Sequence, residues 1–444
     1  MVYPQSVRGL DRAFPLNLAG LTLGISTLAV FYGGVRAFYY GGGFLESFSY
    51  YSDETVFNEI VNSWIGRDPA ETLFGVHAFG DYLLASVWST FPDPWGQMEQ
   101  VNYLPPVLLG FRILSFLPHN VALGFYMAAL VAATTAPMIL ATRRMALGTR
   151  GLLVCSLAIL TGPAIATFDR ANIQGLLPII LFGFALAVLR ERWGWASVLV
   201  AIATCIKIYP IVLVLLLLAL RKYKASAVAV GLAVGSVLVT LPIMSTAGLG
   251  GLPVMIGDVL QFQERTVEDF LQYNITLVGG LANLASFLGA SSIGVWLASH
   301  ALVVIAIYAI CVIPLLWIRS IEIWIRIILV MSLTTSLMPI IYAYSLNWLL
   351  AASALAVWVS QRSSSHVEQP RLVSQALMLA LAGGSAVLPI LIPGTMESGR
   401  PAGIVSFASL IVALLIPGVA ALSWWMLRRG NRVLPVATNG NRQS

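Results

Sequence analysis

Runs of about 18 or more apolar residues recur from one end of this chain to the other, and that feature decides its solvent. A soluble domain needs a charged shell, yet 58% of the 444 residues are hydrophobic and only 10% are charged. The chain reads as an all-α polytopic membrane protein. Its net charge of +6 does not point to nucleic acid, because the basic residues fall in short clusters between apolar runs, as the positive-inside rule places them. The first run, about 16–34, follows Arg8 and Arg12 with no small-residue cleavage site after it, and reads as a retained signal-anchor. Cys155, Cys205 and Cys311 fall within apolar runs and are expected as buried thiols, without disulfide or zinc spacing.

The basic clusters orient the chain. Arg8/Arg12, Arg143/Arg144/Arg150, Arg190/Arg192, Arg221/Lys222/Lys224, Arg319, Arg362/Arg371 and Arg428/Arg429/Arg432 are assigned to the cytoplasm. Threading the runs between them gives about twelve transmembrane or short helices with both termini inside: 16–34, 119–141, 151–168, 173–189, 194–207, 209–220, 225–244, 295–318, 321–338, 346–359, 373–392 and 403–427. The segments 194–207 and 209–220 are too short to span comfortably and meet at Lys207-Ile208-Tyr209-Pro210, which predicts helices meeting within the membrane or at its outer edge. On the outer side, residues 35–118 form a long acidic and aromatic first loop, and 245–294 a second. In Glu54–Ile65, Val56, Phe57, Ile60, Val61, Trp64 and Ile65 share one helical face, so amphipathic juxtamembrane helices are expected in that first loop, with 73–88 a second mixed stretch.

Polar residues gather at the outer level. In "TCIKIYP" one lysine, Lys207, interrupts an apolar run, at a cost of about 2.5–3.5 kcal/mol on an insertion scale. It is either a snorkelling side chain or a ligand for something anionic. "TFDRANIQG" holds Asp169, Arg170, Asn172 and Gln174, where an Asp169–Arg170 pair capping the next helix competes with a binding role. "QYNITL" offers Asn274, and "SLMPIIYAYSLNW" offers Tyr342, Tyr344, Asn347 and Trp348, whose aromatics also suit an interfacial belt. "YYSDETVFNEI" places Asp53 and Glu54 at the start of an amphipathic helix, as caps or as acid–base groups. Cations suit a lipid-borne phosphate, and a carboxylate suits deprotonating an alcohol. The chain has no GxGxxG, Walker loop, HExxH or nucleophile elbow.

At these residues the sequence resembles the GT-C class of integral-membrane glycosyltransferases. It is most similar to the polyprenyl-phosphate-sugar-dependent family 87, which includes bacterial mannosyltransferases and is also described as a domain of unknown function. "DETVFNEIVNSWIGRDP" resembles its acidic first-loop start and "NYLPPVLLGFRILSFLP" its Tyr-x-Pro segment. "DRANIQGLLPIILFGFALAVLRERWGWASVLVAIATCIKIYPIVLVLLLLAL" resembles its outer Asn turn, span and Lys-x-x-Pro helix pair. "LMPIIYAYSLNWLL" resembles a later outer turn, with Tyr344 where the family often has His. The resemblance implies a GT-C-like bundle over residues 1–360, with 361–444 as a C-terminal helix pair and tail. It implies Asp53 as general base, Lys207 with Arg170 and Tyr344 as donor-phosphate ligands, and Glu54, Tyr103, Asp169, Asn172 and Asn274 as substrate contacts.

The implied reaction moves one mannose-like sugar, with inversion and without a metal or other cofactor, from a polyprenyl-phosphate donor to a lipid or glycan hydroxyl. The implied setting is the extracytoplasmic face of the plasma membrane, among membrane lipids. Two other readings stay open. A polysaccharide polymerase or ligase would use diphosphate-linked oligosaccharides, and a transporter or flippase would need the phosphate-binding cations without Asp53.

Overall fold

In a computed structural model of the chain, residues 10–40, 79–97, 101–269, 276–338, 343–362, 371–386, 389–391, 404–406 and 408–430 are described. They are helical apart from one antiparallel pair of three-residue strands, β1 (Pro389–Leu391) and β2 (Ile404–Ser406). The first part of the chain gives α1 (Phe14–Tyr40), α2 (Gly80–Thr90), a single turn at Pro94–Gln97, α3 (Pro105–Leu114), α4 (His119–Ala141), α5 (Leu147–Val154) and α6 (Gly162–Arg170). The middle gives α7 (Leu177–Leu189), α8 (Trp193–Ile206), α9 (Val214–Ala219), α10 (Tyr223–Met244) and α11 (Leu252–Asp269). The last part gives α12 (Leu277–Phe287), α13 (Ser291–Ser299), α14 (Ala301–Val312), α15 (Ile323–Ser336), α16 (Trp348–Ser360), α17 (Arg371–Ala386) and α18 (Ala408–Gly430).

The core lies at α15 and α16. Every residue from Trp324 to Ser336 and from Trp348 to Ser360 is buried, as expected of helices that are apolar all round. Around them pack α4, α7, α17 and α18, with α8 against α7 and α10 against α8. Helix α10 is the outer layer: Val228, Val230, Leu232, Val234, Leu238, Val239 and Ile243 are all exposed. That much uncovered aliphatic surface suits acyl chains rather than water. The same reasoning corrects one expectation. Cys155 and Cys311 are exposed, not buried, because an apolar run in a bilayer turns part of its surface to lipid; Cys205 is half-buried.

Helix lengths refine the expected twelve segments. Among the described residues, α4 and α10 are long and apolar enough to cross a membrane alone. The segment expected at 151–168 is a broken pair, bent by 69° between Leu147–Ile159 and Gly162–Phe168, where Pro163 lacks the N–H that would continue the ladder. The segment at 295–318 bends by 78° at His300. With each bent pair taken as one span the number of crossings by length is up to 4, and nine further apolar helices have 10–17 residues. The helix pair meeting at Lys207 is present: α8 ends at Ile206, and a 3-10 turn at Tyr209–Leu213 leads into α9.

The connections around α2, α3 and α10 are fastened by polar clamps. Arg112 on α3 donates from Nε to the Ser89 carbonyl at 2.6 Å, from Nη2 to Phe91 at 2.5 Å and from Nη1 to Ile243 at 3.1 Å, closing carbonyls at the ends of α2 and α10. Asp93 accepts from Ser245 Oγ at 2.5 Å, from the Thr246 amide at 2.9 Å and from the Thr246 hydroxyl, and these bonds hold its carboxyl below the usual range.

Where α17 crosses α16 and α18, Gly384 leaves no room for a side chain. A Cβ there would overlap Val412 Cγ2 and lie 2.8 Å from Leu349 Cδ1. Gly384→Ala is expected to cost about 1–3 kcal/mol through overpacking, read as a lowered thermal unfolding midpoint in detergent.

Candidate active site

The site forms where three chain reversals meet. The first is the start of α2, where Phe79 caps the helix with a left-handed backbone (φ 65°) and Asp81 sits in the first turn, at the positive end of the helix. The second is the turn between α6 and α7. There Ala171, buried and left-handed (φ 48°), ends α6, and Asn172 caps a 3-10 turn at Ile173–Leu176 by accepting the Gln174 amide at 2.9 Å. The third is Lys207. Pro210 has no N–H to offer the Ile206 carbonyl, so α8 stops and Lys207 is extended (φ −149°, ψ 144°). Left-handed conformations at Phe and Ala cost about 1–2 kcal/mol each, so strain brackets the cluster at two points.

Asp81 is the hub. Arg170 donates to it through two parallel bonds, Nε to Oδ2 at 3.0 Å and Nη2 to Oδ1 at 2.8 Å. Asn172 Nδ2 adds a third bond to Oδ2 at 2.6 Å. Beyond Asn172, Gln174 accepts a hydrogen bond from the Tyr209 hydroxyl, which carries the network to the turn beside Lys207. The Lys207 ammonium bonds Asn102 Oδ1 at 3.2 Å and lies 4.6 Å from the centre of the Tyr103 ring. Its head group is therefore engaged by protein groups of the loop before α3 rather than simply extended along apolar surface.

Asp81 lies outside the apolar helices that could cross a membrane. Burial alone would raise its carboxyl, but the Arg170 charge and hydrogen bonds, the Asn172 bond and the Lys207 charge outweigh that and hold it below the usual carboxylate range. With three of about four lone pairs occupied it is a poor proton acceptor. The pair also cancels one negative against one positive charge, leaving Lys207 as the uncompensated cation of this described cluster. An ammonium has three N–H donors, of which Asn102 takes one.

Four of the residues expected from sequence are thus brought together: Arg170, Asn172, Lys207 and Tyr103. Of the two readings of Asp169 and Arg170, the cap of the next helix is not theirs. Arg170 pairs with Asp81, the cap is Asn172, and Asp169 is the penultimate residue of α6 rather than the start of the next helix. Tyr344 lies in a 3-10 turn at Ala343–Asn347; its side chain, like that of Asp169, is not among the described parts. Asp53, Glu54 and Asn274 lie outside the described residues, as does the amphipathic stretch Glu54–Ile65. Asp81 and Asn102 were not singled out as ligands by sequence. The only local signal was their position, in the second amphipathic stretch and directly before the Tyr-x-Pro segment. Among the described residues no three His, Cys, Asp or Glu side chains converge to hold a metal ion.

The residues 102–338, which hold every member of this cluster but Asp81, match the family model for glycosyltransferase family 87, over more than half of the chain. This chain belongs to glycosyltransferase family 87. No curated protein and no solved structure matches it. The family match and the apolar helices together make it a membrane glycosyltransferase. At the other end of α8 from Lys207, Lys222 stacks 4.6 Å from the Trp193 ring centre, a cation–aromatic pair suited to a membrane interface.

Proposed function

We propose that this glycosyltransferase moves a single mannose-like sugar from a polyprenyl-phosphate donor to a hydroxyl of a lipid or glycan acceptor, at the extracytoplasmic face of the plasma membrane, with both termini cytoplasmic. The reading rests chiefly on one observation: a lysine at a helix break, fixed by Asn102 and Tyr103, with N–H donors to spare and a neighbouring guanidinium already neutralised. Such a group suits the growing negative charge of a departing lipid phosphate. Asp53 takes the proton of the acceptor hydroxyl as its oxygen attacks the anomeric carbon, the bond to the phosphate oxygen breaks, and the sugar inverts. Polyprenyl phosphate is already a competent leaving group. In this reading the short helices on either side of Lys207 and the two bent pairs are partial crossings that complete the twelve-segment bundle.

The test is transfer by the full-length protein in nanodiscs, using radiolabelled polyprenyl-phosphate sugars and a membrane-lipid extract as acceptor. Label transferred from a monophosphate donor is the expected result. Transfer only from a diphosphate-linked oligosaccharide would replace the reading with a polymerase or ligase. Movement of an intact lipid-linked sugar across liposomes without transfer would replace it with a flippase.

A further inference from the structure

One buried polar atom beside the site has no role in the network. Tyr126, two turns into α4, is 6% exposed, and its hydroxyl has no hydrogen-bond partner among the described residues. Its ring packs 5.0 Å from Tyr82, the residue after Asp81, and 5.4 Å from Phe111, and both rings continue the aromatic wall toward Tyr103. An unpaired buried hydroxyl is destabilising, and phenylalanine would pack the same space without that cost. Asp81, which precedes Tyr82 in the chain, accepts two hydrogen bonds at Oδ2 and only one at Oδ1, which leaves Oδ1 room for another donor.

An acceptor lone pair and a hydroxyl that both donates and accepts, set against aromatic rings, match a polyol better than a phosphate, which offers no donor to the Asp81 lone pair. We propose that the Tyr126 hydroxyl is a binding group for one hydroxyl of the transferred sugar. The proposal rests on the glycosyltransferase reading above and names how the sugar is held. Selectivity follows from burial, because a sugar lacking that hydroxyl leaves the tyrosine unpaired.

The test compares wild type with Tyr126→Phe, both full-length in nanodiscs. Equilibrium binding is measured for a short polyprenyl phosphate carrying mannose, glucose or galactose, and for the same lipid phosphate without a sugar. Thermal unfolding is followed in parallel. Tyr126→Phe is expected to bind the preferred sugar donor about tenfold more weakly, to bind the sugar-free lipid as wild type does, and to unfold at no lower temperature. Unchanged donor affinity with a raised unfolding temperature would overturn the proposal, making the hydroxyl a packing defect. An equal loss for both lipids would also overturn it, in favour of a phosphate contact. The wild type alone supplies a second arm: one monodeoxy analogue of the preferred sugar is expected to bind about tenfold more weakly, and a set in which none does refutes the contact. If wild type binds none of the three donors, the glycosyltransferase reading falls first and the proposal with it, an outcome distinct from failure of the variant alone.

Discussion

Asp81→Ala is expected to lower the stability of the folded bundle by about 3–5 kcal/mol, because it takes the bidentate carboxylate away from a nearly enclosed guanidinium. Both side chains of the pair are nearly enclosed, 13% and 11% exposed, so solvent screening does little to soften the loss. Asn172 loses its acceptor in the same step, which adds an unsatisfied amide. The loss should be largely reversed in Asp81→Leu/Arg170→Met, since apolar replacements of a whole buried pair are often neutral. Thermal unfolding of the singles and the double, arranged as a cycle, measures the coupling. A single-variant cost under about 1 kcal/mol would place the pair with exposed ion pairs and remove the case for Asp81 as hub.

The same pair has a pH signature. The Asp81 carboxyl is held lower in the folded state than in the unfolded chain, so its stabilisation is fully present above the unfolded value of about 3.9 and is lost as pH falls through the lower folded value. Unfolding midpoints of wild type are expected to level off above about pH 5 and to fall more steeply below pH 4 than those of the Leu/Met double variant.

The largest effects on turnover are expected from Asp53 and Lys207, with different signatures. Asp53→Asn should cut transfer by about 10²–10⁴-fold while donor binding persists, the mark of a lost general base. Lys207→Ala should cut transfer by about 10²–10³-fold and weaken donor binding too, because the ammonium meets the phosphate before and during departure. Both variants need a wild-type unfolding profile for the comparison to count. Full activity in Asp53→Asn would discard the base assignment and turn attention to Glu54 and to Asp68, the second aspartate of the stretch DETVFNEIVNSWIGRDP. Full donor affinity in Lys207→Ala would remove the phosphate ligand from the mechanism.

Much of this was legible in the sequence, for physical reasons. A lysine and a Tyr-Pro inside an apolar run leave few options: the proline removes a donor, the helix ends, and the charge must find a partner. The helix break at Lys207 followed from that. The choice of partner did not. Arg170 is adjacent in sequence to Asp169, yet neighbours on a helix point about 100° apart and do not face one another. The ion pair that Arg170 makes among the described residues is with Asp81, 89 positions away, one of several acidic residues in a long loop that nothing local distinguishes. The bends at Leu160–Thr161 and at His300 were also hidden, since hydropathy averages over a break of one or two residues. The exposed cysteines were misread because in lipid an apolar run does not mean a buried one.

Arg112 has a further consequence. Its three bonds tie the far end of α2, the helix whose first turn carries Asp81, to the end of α10, which packs against α8. Helix α10 also turns a broad aliphatic face outward, suited to acyl chains. Bilayer thickness sets the tilt of such a helix. A tilt of α10 would then pull on α2 through this rivet, and transfer rates compared in nanodiscs of short- and long-chain lipids are expected to differ more for wild type than for Arg112→Ala.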